Sequence, residues 1–319
     1  MTRDMTFSNG IIKSLEKDLL TTSALSRLID EADYKTALAS LRDQGFGKGA
    51  ADVENIDDIL LAETVFADNF VREFSPSKEY SEFFLTGVDF YNAERYVRSK
   101  FVKGYFYEET RYGLIKDVAE AIEKNDKKLP DELKSAVKEA EELFESGKAT
   151  GAAVSTIFAK ALYARLLKKC GGELKTFIKN EIDAANISTA FRSKTKETAE
   201  KLFIDGGNLK KEDILFIFSS DNDKIDKKFA FTPYKEMISV ALFERAEKTP
   251  FINFERSADG FALGELKKKK YDTEGATPFM LYCLYKRAEI KNVRIIMTGK
   301  RAKAQADEIK RRLRVGYDG

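Results

Sequence analysis

Asp89-Phe-Tyr-Asn92-Ala-Glu-Arg-Tyr-Val-Arg-Ser-Lys100 reads as an acid, two spacers, an asparagine, and a lysine eight residues further on. The phrase returns twice, as Asp183-Ala-Ala-Asn186-Ile-Ser-Thr-Ala-Phe-Arg-Ser-Lys194 and as Glu289-Ile-Lys-Asn292-Val-Arg294-Ile-Ile-Met-Thr-Gly-Lys300. The copies lie 94 and 106 residues apart. Solenoid units repeat every ~34 to 47 residues, so each copy here belongs to a larger lobe with several helices of its own. The reading is an all-α chain of three similar helical lobes, with boundaries expected at residues 1–110, 111–207 and 208–319.

Helical periodicity says what each phrase does. At 100° per residue the acid, the residue seven on and the lysine eleven on fall on one line of the helix surface. Beside that line, offsets one, four and eight are apolar or small in every copy: Phe90, Ala93 and Val97; Ala184, Ile187 and Phe191; Ile290, Val293 and Met297. Each phrase is therefore expected to form a helix that buries an apolar stripe, with acid, asparagine and lysine along its edge. Two roles stay open for Asp89, Asn92, Lys100, Asp183, Asn186, Lys194, Glu289, Asn292, Arg294 and Lys300. They bond a neighbouring helix or loop backbone, or they converge on a shared partner.

The rest of the chain supports a helical reading. Pro130 precedes a charged helix that runs towards Gly147, and Ala149–Cys170 carries apolar residues at helical spacing before Gly171-Gly172 stops it. The second phrase is expected inside a helix from Leu174 to about Lys196. Thr232-Pro233 and Thr277-Pro278 each read as an N-cap followed by proline at the first helical position. No alternating block is long enough for a sheet.

Composition narrows the chemistry. There is no histidine, which removes the commonest general base near neutral pH and the commonest metal ligand. Cys170 and Cys283 form no CxxC pair, so neither a zinc site nor a disulfide framework is expected, and the setting reads as reduced. Gly47-Lys48, Gly147-Lys148 and Gly299-Lys300 lack the earlier glycine of a Walker A loop, holding Arg42, Glu142 and Arg294 there. Catalysis would have to rest on carboxylates, Lys, Tyr, Ser or Cys, and these patterns single out no catalytic residue and no cofactor. Charged residues make up 34%, yet 55 basic against 53 acidic nearly cancel, a pattern of surface ion pairs rather than a nucleic-acid footprint. The start of the chain lacks a signal-peptide core, and the longest charge-free apolar stretch, 149–159, falls short of the ~20 residues a bilayer span needs.

Lys267, Lys268, Lys269 and Lys270 end a helix before Tyr271-Asp272. Cations at a helix C-terminus are favoured by its dipole, which accounts for them structurally. A contact with an acidic protein or with anionic lipid headgroups is the functional reading.

The third phrase sits in a run of Phe254-Glu255, Asp259, Leu266, Tyr271, Gly275, Pro278, Tyr282, Lys286, Ala288-Glu289-Ile290, Asn292, Arg294, Ile296 and Gly299-Lys300. This resembles the C-terminal signature of the V/A-type ATPase C-subunit family, whose eukaryotic vacuolar member is called the d subunit. Glutamate, two residues, asparagine, one residue, arginine, then Gly-Lys is its most specific part. Asp183–Lys194 with Leu202-Phe203, Gly206-Gly207 and Leu209 is similar to the family's middle unit, and Leu19-Leu20, Leu25 and Leu28 to its opening helix. The likeness covers nearly the full length. It departs at Phe7-Ser-Asn9, where the family has tyrosine and arginine, and at Ala93-Glu94, where it often has Leu-Lys.

The resemblance implies a funnel of three helical lobes about a pseudo-threefold axis, without catalysis of its own. It implies a peripheral place on the cytoplasmic face of the membrane, between central stalk subunits of the D and F type and a rotor ring of K or c type subunits. The implied role is to couple ATP chemistry to proton or sodium transport. A generic all-helical interaction scaffold is the alternative.

Overall fold

The computed structural model describes residues 5–272 and 274–318, with side chains from Ser8 onward. The described residues form helices joined by turns and loops, with no strand among them. Along the chain these are α1 (Met5–Leu15), a 3-10 turn (Glu16–Asp18), α2 (Thr22–Asp30), α3 (Tyr34–Asp43), α4 (Ile56–Phe74), α5 (Lys78–Phe101), α6 (Val118–Glu123), α7 (Asp131–Glu145) and α8 (Gly151–Lys169). There follow α9 (Gly172–Arg192), α10 (Lys196–Leu202), α11 (Lys211–Ser219), α12 (Asn222–Phe229), α13 (Lys235–Ala246), α14 (Ile252–Lys267), α15 (Thr277–Arg301) and α16 (Ala306–Arg312). None of the described helices is long and apolar enough to cross a membrane.

Local chemistry explains the ends. Thr21, Thr150 and Thr195 each accept the N–H three residues on, at the starts of α2, α8 and α10. Asp33 and Thr36 close a capping box on α3. After α7, Gly147 takes φ +70°, the left-handed conformation that ends a helix without a Cβ penalty. Two expected starts shift. At Thr232-Pro233 the chain makes a turn, with Lys235 N–H bonded to the Thr232 carbonyl at 3.2 Å, and α13 begins only at Lys235. At Thr277-Pro278, Ala276 is the N-cap and the threonine is already helical. The second phrase helix also stops early, at Arg192, so Lys194 lies beyond it, exposed in the bend that follows.

The chain divides into two compact units. One is built from residues up to Ser77 together with those from Thr232 onward, and the other from Lys78 to Phe231. The first therefore joins both ends of the described chain; the second is continuous.

In the first unit, α15 is covered by α2, α3 and α4. Its Ile290, Val293 and Met297 are buried with Leu25, Leu28, Leu38 and Ile59. In the second unit, α5 is covered by α6, α7 and α8, and Phe90, Ala93 and Val97 are buried with Val118, Leu133, Val154 and Phe158. The stripes expected at offsets one, four and eight thus centre these cores, and each large apolar side chain buried there contributes about 1.5–3 kcal/mol relative to exposure. On α9, Ala184 and Ile187 are buried and Phe191 is half-buried.

Candidate functional site

The six acids and asparagines of the three phrases, expected along the edge of the apolar stripe, are buried. Asp89, Asn92, Asp183, Asn186, Glu289 and Asn292 are all at most 4% exposed. A helix wheel gives the side that meets other helices. It does not show that a loop returns to cover the flank.

A buried polar side chain must find partners, and here the partners are backbone groups of that returning loop. Asn186 donates to the Ile204 carbonyl and accepts the Ile204 N–H, both at 2.8 Å. Asn292 does the same with Arg314, donating at 3.2 Å and accepting at 2.7 Å. Asn92 donates to the Arg111 carbonyl at 2.8 Å. An asparagine side chain carries a carbonyl acceptor and an NH2 donor group, so it can satisfy both the N–H and the C=O of one backbone residue.

The acid one turn earlier holds amides further along the same loop. Asp89 accepts from Leu114 N–H at 3.0 Å and Ile115 N–H at 3.2 Å, offsets of 25 and 26 residues. Asp183 accepts from Asn208 and Leu209 N–H, both at 2.9 Å, at the same two offsets. Glycine makes the approach possible. A Cβ on Gly113 would lie 2.4 Å from Asp89 Oδ1, and one on Gly207 2.2 Å from Asp183 Oδ1.

Glu289 follows the rule with a different stretch of chain. Its Oε1 accepts Leu20 N–H at 2.6 Å, from 269 residues upstream. In all three copies the held amide lies one or two residues before a helix cap: Ile115 before Asp117 of α6, Leu209 before Lys210 of α11, Leu20 before Thr21 of α2. The start of the chain thus supplies to α15 the segment that α5 and α9 receive from their own downstream loops.

Around Glu289 the charge is shared. Lys286 Nζ lies 2.5 Å from Glu289 Oε2 and 2.6 Å from Glu63 Oε2, and Glu63 Oε1 accepts Gly47 N–H at 2.5 Å. All three side chains are buried. Burial pulls the Lys286 ammonium down, but the Glu289 and Glu63 carboxylates outweigh it and hold it above its ordinary value. Burial likewise pushes the Glu289 carboxyl up, against the pull of Lys286. At Asp89, burial raises the carboxyl to about 7, although three backbone N–H groups work the other way.

The remaining phrase residues are peripheral. Lys100 reaches Glu141 at 2.7 Å and Glu123 at 3.3 Å. Lys300 donates to the Glu31 carbonyl at the end of α2. Arg294 is exposed, 3.6 Å from Asp57 of α4. Lys194 is exposed and off the helix. The lysine therefore stays on the phrase helix in the first and third copies and leaves it in the second.

The basic run ends α14. Lys268 pairs with Glu265 at 2.7 Å, and Lys270 Nζ stands 4.8 Å from the centre of the exposed Tyr271 ring. Burial first, then the nearby Lys270 charge, pushes Lys267 down.

Glu63, Lys286, Gly113 and Gly207 were not singled out as site residues by sequence reasoning. The glycines carried a usable signal, since each lies 24 residues after its acid. Position 313 in the third copy is leucine, because there the amide comes from elsewhere.

Comparison with known proteins agrees with this architecture. The chain is similar to the A-type ATP synthase C subunit of Halorubrum lacusprofundi, 31% identical over 164 residues, covering 48% of this chain and 47% of the relative. It is 29% identical over 168 residues to the subunit of the same name from Haloquadratum walsbyi, covering 50% and 47%, and 30% identical over 168 residues to that of Haloferax volcanii, covering 48% and 47%. The chain spans about half the length of the curated relatives it matches. The model of one family covers much more, residues 8–312. With that match across the three stapled phrase helices, the chain belongs to the ATP synthase (C/AC39) subunit family, whose members are non-catalytic components of the complex.

Proposed function

We propose that this protein is the C subunit of a V/A-type rotary ATPase, a rotor adaptor that couples the central stalk to the membrane ring during ATP-linked proton or sodium transport. It sits peripherally on the cytoplasmic face, receiving stalk subunits of the D and F type on one side and ring subunits of the K or c type on the other. The repeat proposed for it is three similar helical lobes, 1–110, 111–207 and 208–319, with one phrase in each. The sharing of one staple by α5, α9 and α15 supports that arrangement.

One observation carries the mechanical reading. Each phrase helix ties a separate segment by buried acid and asparagine side chains bonded to backbone. A part that transmits torque needs connections without slack, and packed interiors with fixed loops transmit strain. The densely charged exterior supplies rim contacts that set fit and registry. Lys267, Lys268, Lys269 and Lys270 are proposed as one such partner contact.

The test is a pull-down with the tagged chain from membranes of its own source. Recovery of stalk and ring subunits is expected. A folded helical protein that brings neither would replace this reading with a plain interaction scaffold.

A further inference from the structure

We propose that the Asp89 staple is a proton-operated latch: it holds the segment 111–116 closed while its carboxyl carries a proton, and lets that segment open to water when the carboxyl ionises. The inference concerns this chain's own fold and stands whether or not the coupling role does.

The three staples share a plan and differ in one respect. Asp183 accepts the side-chain Nδ2 of Asn208 at 2.9 Å, besides the amides of Asn208 and Leu209. Glu289 has the Lys286 ammonium 2.5 Å from its Oε2. Asp89 has neither kind of help. Its oxygens meet the backbone N–H groups of Gly113, Leu114 and Ile115, and among the described residues no side chain donates to it. The residue 25 positions after the acid is Asn208 in the second copy and Leu114 in the first. A leucine there cannot supply the missing donor.

The surroundings do not neutralise the acid either. Asp89 is 2% exposed, and α6, α7 and α8 pack Val118, Leu133 and Val154 into the core that α5 centres. The ion-paired cations of α5 and α8 serve other acids: Arg98 pairs with Glu94, Lys100 with Glu123 of α6 and Glu141 of α7, and Arg165 with Glu82 and with Glu132 of α7. In the loop itself, Lys116 stands over the Tyr112 ring. The loop's charge that acts on Asp89 is Glu109, a second carboxylate.

A buried carboxylate without a cation costs far more than a buried carboxylic acid. Burial, opposed by the three amides and reinforced by Glu109, accordingly raises the Asp89 carboxyl to about 7. Protonated, it still accepts amides through its carbonyl oxygen. Ionised, it gains by admitting water. The element that yields is the loop, since 102–117 has no helix while α5 runs unbroken through Asp89. Leu114 is already 45% exposed, so opening adds little apolar surface there. The closed state binds the proton more tightly than the open one, and opening therefore rises with pH until the closed carboxyl has ionised.

Hydrogen exchange of the Leu114 and Ile115 amides, followed by NMR on the full chain and corrected for the intrinsic rate at each pH, reads the latch. We expect their protection to fall at least about tenfold between about pH 5 and pH 7 and to level off above, while the Leu209 amide of the α9 staple changes less than about threefold. Leu114→Asn places the Asn208 donor in the first copy, and should raise protection of Ile115 at about pH 8 at least about tenfold with an unchanged helical spectrum. Asp89→Asn should make protection independent of pH. Protection at Leu114 and Ile115 that stays constant, or that falls in parallel with Leu209, would overturn the proposal. So would a folded Leu114→Asn chain whose pH dependence matches the native one.

Discussion

Glu289, on the last long helix, accepts the backbone N–H of Leu20 at 2.6 Å, tying together positions 269 residues apart. The contact does for α15 what Asp89 and Asp183 do for α5 and α9 within their own stretches of chain. Asn9 to the Gly275 carbonyl and Thr22 to the Asp318 carboxylate reinforce the same closure. Stability of this unit therefore depends on both ends of the described chain at once.

Lys286 is the counter-charge of that closure. Lys286→Met should cost about 3–5 kcal/mol, because Glu63 and Glu289 would remain buried without a cation. Adding Glu63→Gln should recover part of the loss. Denaturant unfolding of the single and double variants measures it, and additive costs would show that the three side chains are not coupled.

Asn186 satisfies both backbone groups of Ile204 in a site with no exposure. Asn186→Ala should destabilise by roughly 2–4 kcal/mol, since a donor and an acceptor are orphaned together. Asn186→Asp should also be costly, because the carboxylate cannot donate to the Ile204 carbonyl. Thermal and urea melts of both variants check this.

Glycine substitutions should divide by surroundings. Gly207→Ala places a methyl group 2.2 Å from Asp183 Oδ1 and should cost about 1–3 kcal/mol. Gly264, inside α14, has nothing within 4 Å of an added Cβ, and Gly264→Ala should stabilise by about 0.5–1 kcal/mol. Opposite signs in a urea titration are the expected result.

Asp89 should impart a pH dependence. Its carboxyl is raised by burial from an ordinary 3.8 to about 7 in the folded protein. The folded state then binds the proton more tightly than the unfolded chain. The stability this adds is complete below about pH 4, declines as pH rises, and is gone above about 7. Relative to Asp89→Asn, the native protein should lose stability between about pH 5 and 7 and level off beyond. An equal difference at about pH 5 and pH 8 would show that Asp89 titrates normally.

For the basic run, changing Lys267, Lys268, Lys269 and Lys270 together to Ser should leave unfolding within about 0.5 kcal/mol, as surface changes usually do. Assembly with other ATP synthase subunits should be weaker at low salt and fall off less steeply as salt rises than for the native chain. Identical assembly at every ionic strength would remove the four lysines from the interface.

Much of the local architecture was legible in the sequence. Phe90, Ala93 and Val97 were placed on a buried stripe by spacing alone, and the helix over Ala149–Cys170 and the stop near Gly147 follow from apolar spacing and glycine. Spacing set Asp89 and Asn186 at the edge of the stripe and left open whether they bond a loop backbone or a partner; it did not show that a loop buries them. A wheel registers contact between helices, whereas these side chains are buried by a loop whose path is not periodic. Lys194 was placed on a helix that ends two residues before it, since helix ends are decided by a turn or less of sequence.

The sequence by itself determined the helical class, the three phrases, their apolar stripes and the family resemblance. These are short-range patterns, because helix formation and amphipathic burial depend on residues within a few turns. Only the tertiary structure decided which amides the three acids hold, and that the third acid reaches back to Leu20. A buried carboxylate must be satisfied by some donor, but which donor comes within reach is a property of the folded path. Neither end of the contact carries a mark of the other across 269 residues.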